Sequence, residues 1–334
     1  MRPLNPEFQP DYGRLSSKLT ALSHDIKPPE IDSVAIRERL KSRGFRIEKT
    51  LADKPHESRP LLCVDSSYGK LDLKFYSLFG LHCVSLYAVF SCLPKEDALV
   101  GQGTVPYRDM LYDSYIDVGL IKPYSDTESR LNLIRVAAEL GFMIESNREI
   151  EDNGVETDFL VLDGSLSAIK KDLEAVRHYP EYEKASSALR RLSDVKVVSM
   201  VEDSHATDIS SEAGVELTNL HLLDMVLKPL EYVVKDSDGI HVIYVKLPGK
   251  RLCFKPNEDS KPLTVRWEFN YANFESDLNY LVGSWACEDD LLHPQVYPMR
   301  ITDYLTRKIR VSGVLEEFAK NRGLEWKHRD LREY

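Results

Sequence analysis

FLVLDGSLSA, residues 159–168, runs apolar from Phe159 to Leu162, meets a carboxylate at Asp163 and breaks at once into Gly164-Ser165. LLCVDSSYGK, residues 61–70, repeats the arrangement about a hundred residues earlier, with Leu61 to Val64 leading into Asp65 and then two small hydroxyls and a glycine. Such a run reads as a strand buried on both faces, and a carboxylate at its exit is how a parallel or mixed sheet carries charge to its rim. Asp before Ser or Gly is also ordinary turn and cap chemistry. What separates the two readings is the order of the elements around them.

After Asp65 the sequence predicts a turn at Ser66 to Gly69, then two or three strands, the longest over 78–93, and a break at GQGTVPYRD. Residues 127–151 form a helix by the 3.6-residue spacing of Leu133, Ala137, Leu140 and Ile144, with Thr127 as its cap. The strand bearing Asp163 follows, then helices over 167–177 and near EYEKASSALRRL, and the strand VKVVSMV. LTNLHLLDMVLKPL reads as a helix before two strands, GIHVIYVKL and PLTVRWEF, and the chain from Val296 to Gly323 is mostly helical. Strand with Asp, antiparallel meander, helix, strand with Asp is the order of an α/β, ribonuclease-H-like mixed sheet with flanking helices. That domain spans 59–334. Residues 1–58 are an N-terminal extension, an arm followed by two amphipathic helices split by Pro28-Pro29, and offer a possible dimer contact.

The bulk composition narrows the function. The 334 residues carry a net charge of −10 with a pI near 5.5, which excludes a protein coated in basic surface and leaves room only for a local basic channel. Arg300, Arg307, Lys308 and Arg310 near the C-terminus are its best candidates. The five cysteines show no C-x-x-C spacing and read as reduced core residues. No run of about twenty apolar residues occurs and the N-terminus has no apolar signal core, so a soluble, cytoplasmic protein is expected, with no membrane partner.

In a ribonuclease-H-like sheet Asp65 and Asp163 stand side by side, and the helix between them supplies a third acid from Glu128, Glu139 or Glu145. Glu139, with Arg135 one turn before it, is the choice, on a face opposite the apolar stripe. Two unit charges 4 Å apart repel by about 4 kcal/mol even at an effective dielectric of 20, and a divalent cation removes that cost. Hard oxygen ligands suit Mg²⁺ or Mn²⁺, which points to metal-dependent hydrolysis of phosphodiesters.

VDSSYG, the helix around RVAAE, VLDGSL, the strand pair HVIYVKL and TVRWEF, and VYPMRITDYL together resemble the NurA family of DNA repair nucleases, across about 60 to 310. VDSSYG departs from the family's Asp-Gly-Ser at Ser66. The resemblance implies a ring-shaped homodimer and Mn²⁺-dependent cleavage of DNA, as single-strand endonuclease and 5′ to 3′ exonuclease. It further implies work in double-strand break end resection with the HerA hexameric translocase. It makes Asp65, Glu139 and Asp163 the metal ligands and Tyr297 an active-site tyrosine. Where the family has a histidine eight residues after that tyrosine, this chain has Leu305, so Asp303 or His293 is left to supply the last ligand. Arg135, Lys246, Arg266, Arg300 and Arg307 are candidate DNA contacts, and Trp267 and Tyr271 are candidate stacking rings. Asp203, Ser204 and His205 follow a strand and are candidate phosphate or metal contacts. Two rivals remain: an actin- or sugar-kinase-like ATPase, and a catalytically inactive scaffold that binds a translocase.

Overall fold

The computed structural model describes residues 31–51, 58–90, 107–122, 127–201, 204–249, 251–252, 255–256, 261–286 and 295–324. Helix α1 (Ser33–Ser42) starts where the Asp32 carboxylate accepts from the Val34 and Ala35 amides, and it buries Ile36 and Leu40. The predicted helix before it lies outside the described residues. Strand β1 (Ile47–Lys49) precedes three long strands, β2 (Arg59–Asp72), β3 (Ser77–Phe90) and β4 (Tyr107–Ile121).

Helix α2 (Thr127–Asp152) then crosses to β5 (Phe159–Asp163), followed by α3 (Leu166–Ala175), α4 (Tyr182–Leu192) and β6 (Val197–Val201). Two short helices, α5 (Asp208–Glu212) and α6 (Asn219–Val226), lead into the hairpin of β7 (Glu231–Ser237) and β8 (Ile240–Leu247). After the two-residue strands β9 (Arg251–Leu252) and β10 (Lys255–Pro256) come β11 (Leu263–Phe269), α7 (Glu275–Ala286), α8 (Tyr297–Lys308) and α9 (Val311–Asn321).

Nine strands form one mixed sheet in the order β1-β7-β8-β11-β6-β5-β2-β3-β4. β5 runs parallel to both β2 and β6, and the other neighbours are antiparallel. Strand alternation sorts the core into two layers. Leu62, Val64, Leu160 and Leu162 pack on Val136, Leu140 and Met143 of α2, while Leu61, Cys63, Phe159 and Val161 face Leu278 and Trp285 of α7 and Met299 of α8. Helix α9 closes the far end of β2 and β3 through Leu315 and Ala319.

Three expectations change. β2 does not turn at Ser66 to Gly69 but runs through Asp65 to Asp72, because β3 pairs with it along its whole length; the turn falls at Leu73, whose amide donates to the Tyr76 carbonyl. Strand β7 and helix α7 are additional elements. The Asp238-Gly239 pair, both at positive φ, makes the β7–β8 hairpin turn. Finally, Glu139 is 1% exposed rather than opposite the apolar face. Helix α2 is covered by the sheet on one side and by α4 on another, so its buried arc takes in Leu131, Leu133, Val136 and Phe142 as well. Among the described residues no helix is long and apolar enough to cross a membrane.

Candidate active site

Register brings the first two acids to one level. Val64 stands opposite Leu162 across the parallel β2–β5 pair, so Asp65 and Asp163 follow side by side. β5 stops there: Gly164 adopts a φ of 98°, and Ser165 caps α3, its Oγ accepting from the Ala168 amide at 3.0 Å. β2 continues, paired only to β3, which leaves a notch in the sheet at the carboxyl end of β5. Crevices at such strand ends are where open α/β sheets bind ligands.

Side chains reach this notch from both faces. From α8, Thr306 Oγ1 donates to Asp65 Oδ2 at 2.6 Å, while the Thr306 carbonyl accepts from Ser67 Oγ at 3.2 Å and lies 3.1 Å from His82 Nδ1. Just before α8, Gln295 Nε2 donates to Asp163 Oδ1 at 2.8 Å. From α2, Glu139 pairs with Arg135 across one helical turn at 2.7 Å, and Arg135 Nη1 also donates to Ser66 Oγ at 3.3 Å.

The electrostatics record how closely these groups stand. Burial raises the Asp65 pKa against the Thr306 and Ser66 hydrogen bonds, and the Asp303 charge adds to the rise. Burial pushes the Glu139 carboxyl up to about 8; Arg135 opposes this, and the charges of Asp65 and Asp163 reinforce it. Desolvation therefore outweighs the ion pair. Glu139 Oε1 is also buried with no hydrogen-bond partner. A buried acid left half-satisfied among other acids is costly unless a cation completes it.

Glu139, Asp65, Asp163 and Asp303 thus meet at one notch, but they are not closed around a point. Among the described residues no three His, Cys, Asp or Glu groups stand in position to hold one ion. Asp65 and Glu139 approach from opposite faces of the sheet, and Arg135, Gln295 and Thr306 occupy their oxygens. The donor set itself, all carboxylate oxygen, fits Mg²⁺ or Mn²⁺, and the buried Glu139 Oε1, which has no hydrogen-bond partner, is one oxygen such an ion would satisfy.

The remaining candidates fall differently. Tyr297 begins α8, half-buried, with the Arg300 guanidinium 4.8 Å from its ring centre. Arg307 binds Asp303 at 2.6 Å and is otherwise exposed. Arg266 is tied to Glu268 and to the Ser167 and Ser204 hydroxyls, which makes it a brace beneath the start of α3. Lys246 is not at the notch: it is buried and held by the Asp224 side chain and carbonyl, because β8 carries it under α6.

Glu128 is exposed and pairs with Lys70, and Glu145 is exposed. Trp267 is core; Tyr271 is half-buried, its hydroxyl donating to Asp277 at 2.7 Å and its ring packed by Phe269 and by the Lys196 ammonium 5.3 Å from its centre. Ser204 accepts from Arg266 and His205 is exposed. His293 and Asp203 lie outside the described residues. Thr306, Gln295 and Ser66 are the site residues that sequence reasoning left without a role. Thr306 had a signal, since it lies three residues after Asp303 on the same helix face; Gln295 had none.

A mixed sheet whose neighbouring parallel strands bring two aspartates to one level, layered between helices, is of the ribonuclease-H-like class. Within it, this chain has the fold of the NurA nucleases. It matches the NurA nuclease from Sulfolobus solfataricus with a TM-score of 0.56 at 12% identity, over 96% of this chain and 99% of that one. A structure of NurA with manganese matches at 0.53 and 11% identity, over 94% and 98%. One of NurA bound to dAMP and manganese matches at 0.50 and 10%, over 89% and 93%. No protein-family model matches the sequence, and no curated protein does. At these identities the likeness establishes the fold.

Proposed function

We propose that the protein is a metal-dependent DNA nuclease, hydrolysing phosphodiesters at the notch beside Asp163. The observation that carries the reading is Glu139: a fully buried carboxyl, raised to about 8, with one oxygen unpartnered and two further acids in its field. Asp65, Glu139, Asp163 and Asp303 would hold Mn²⁺, or Mg²⁺ in its place. When bound, such an ion lowers the pKa of a water and stabilises the leaving oxygen. The chain's own residues do the rest. Thr306 and Gln295 orient the two strand aspartates, and Arg135, released from Glu139, offers two N–H groups to a phosphate. Tyr297 and Arg300 precede Asp303 on the same helix at three-residue spacing, where they would meet a strand bound over the notch.

The finer reading follows the NurA likeness. The protein cuts single strands internally and degrades ends 5′ to 3′, in DNA repair by end resection, fed by a HerA-type hexameric translocase; a net charge of −10 makes such delivery useful. It works as a homodimer, with residues 1–58 as one candidate contact. A second support is the outer strand β4, which leaves Leu111, Tyr112, Ile116, Val118 and Leu120 exposed on a sheet edge, a surface that invites pairing with another copy.

The test is digestion of 5′- and 3′-labelled single-stranded DNA with Mn²⁺, Mg²⁺ or EDTA, comparing wild type with Asp163→Asn. Metal-dependent products that vanish in the variant are expected, and the label pattern gives the polarity. Cleavage that survives Asp163→Asn, or that persists in EDTA, sinks the assignment.

A further inference from the structure

Beside the acidic notch, on its α2 side, a slot of about 360 Å³ opens between α2 and α3. Its floor and walls are apolar: Leu133 and Val136 from α2, and Ala168, Ile169, Leu173 and Val176 from α3 and its end. Its mouth is polar, with Ser129 and Asn132 on one lip and Asp172 on the other. Arg135 and Asp163 line the slot as well as the notch, so the two spaces are continuous. The Asp163-Gly164-Ser165 turn forms the rim between them. At Gly164 a Cβ would meet nothing within 4 Å, so this rim presents bare backbone to open space.

We infer that this slot holds one unstacked nucleobase of the DNA strand whose phosphodiester lies over the acidic notch. The inference rests on the nuclease reading and names what that site takes. The volume falls in the range of about 300–1,000 Å³ usual for small-molecule sites. The wall chemistry selects the occupant. Apolar side chains exclude a phosphate but accept the flat face of a base; at the mouth Asn132 Oδ1 accepts from Arg135 Nε and Nη2, so the Asn132 Nδ2 donors and the Asp172 carboxylate are the groups that meet a base edge. Arg135, at the junction, is placed to meet the phosphate of the same nucleotide once it leaves Glu139.

A functional consequence follows from geometry alone. A base inside the slot is neither paired nor stacked, so a duplex must open before it can engage. Single strands, frayed ends and flaps engage without that cost. The slot therefore supplies a physical basis for strand preference that the carboxylates alone do not.

The test uses the whole protein and short single-stranded oligonucleotides carrying 2-aminopurine at each position in turn, bound with Ca²⁺ in place of Mn²⁺. Unstacking into the slot raises fluorescence at one position and not at its neighbours. Ala168 is exposed on the first turn of α3, so Ala168→Phe fills the slot from its rim without entering the core. It is expected to abolish that rise and to weaken binding about tenfold, while Ala168→Ser keeps the wild-type signal.

In a parallel cleavage assay with Mn²⁺, an abasic residue at the responding position lowers kcat/KM of the wild type about tenfold and leaves that of Ala168→Phe unchanged. DNA that is bound and cut with no single responding position, or an Ala168→Phe protein that keeps the signal, overturns the slot and leaves the nuclease reading standing. DNA that is neither bound nor cut overturns both.

Discussion

Glu139→Gln isolates the electrostatic claim on which the site depends. In the folded, ion-free protein burial raises this carboxyl from 4.5 to about 8, so between those values the folded state holds a proton that the unfolded state has released. Stability contributed by the protonated group is complete below pH 4.5 and is lost as pH rises toward 8, with a slope of at most about 1.4 kcal/mol per unit and a total of at most about 5 kcal/mol. Glutamine mimics the protonated acid and does not titrate. Arg135 keeps its hydrogen bonds to Ser66 and Asn132 and a quarter of its side chain in solvent, so its own cost is modest.

The assay is urea unfolding in EDTA at pH 5, 6, 7, 8 and 9. The free-energy difference between Glu139→Gln and wild type is expected to grow in favour of the variant up to pH 8 and then level. Added Mn²⁺ reverses the order, because an ion needs the ionised carboxylate: wild type gains stability increasingly toward pH 8, and the variant gains little. Parallel curves in EDTA would show that the Arg135 pair keeps Glu139 ionised throughout, and the argument from desolvation would be wrong.

Four further substitutions probe the surroundings. Thr306→Val keeps shape but removes the donor to Asp65, and should cost about 1–3 kcal/mol in urea unfolding above the Asp65 pKa while weakening Mn²⁺ binding in calorimetry. Gly69→Ala places a Cβ 2.5 Å from the Ser312 amide nitrogen where α9 crosses β2, and should destabilise by about 1–3 kcal/mol. Gly141→Ala, inside α2 with open space around it, should stabilise by about 1 kcal/mol in the same melts. Lys246→Met should leave single-stranded DNA affinity unchanged in fluorescence anisotropy yet lower stability, since Lys246 is engaged by Asp224 rather than facing a strand; a loss of affinity matching that of Arg135→Ala would refute this.

What the sequence disclosed and what it withheld divide along a physical line. The strands through 61–65 and 159–163 were legible because an uninterrupted apolar run has one use in a mixed sheet, and their acids were legible because a charge there needs a reason. The end of β2 was not, because Ser66 to Gly69 has turn composition, and what keeps it extended is a partner strand, β3, whose pairing no local pattern encodes. The burial of Glu139 was hidden for a similar reason: a 3.6-residue stripe locates one buried face, whereas α2 is covered on two. Strand β7 is missed although Asp238-Gly239 is a hairpin signal, because only its partner β8 reads as a strand.

The same division explains the shape of the site. Asp65 could have been a rim residue only if β2 had ended with β5. Because β2 continues, Asp65 is enclosed, with Thr306 and the α8 backbone over it, and its carboxyl is raised rather than solvated. Asp163 keeps the exposed exit that its sequence implies, at a glycine turn beside an open slot. On the proposed reading both aspartates are held by a hydrogen bond, Asp65 out of solvent and Asp163 half-exposed, where a substrate would reach it first. Asp163→Asn should accordingly impair cleavage with little change in melting, while Asp65→Asn, inside a hydrogen-bonded pocket, should alter both.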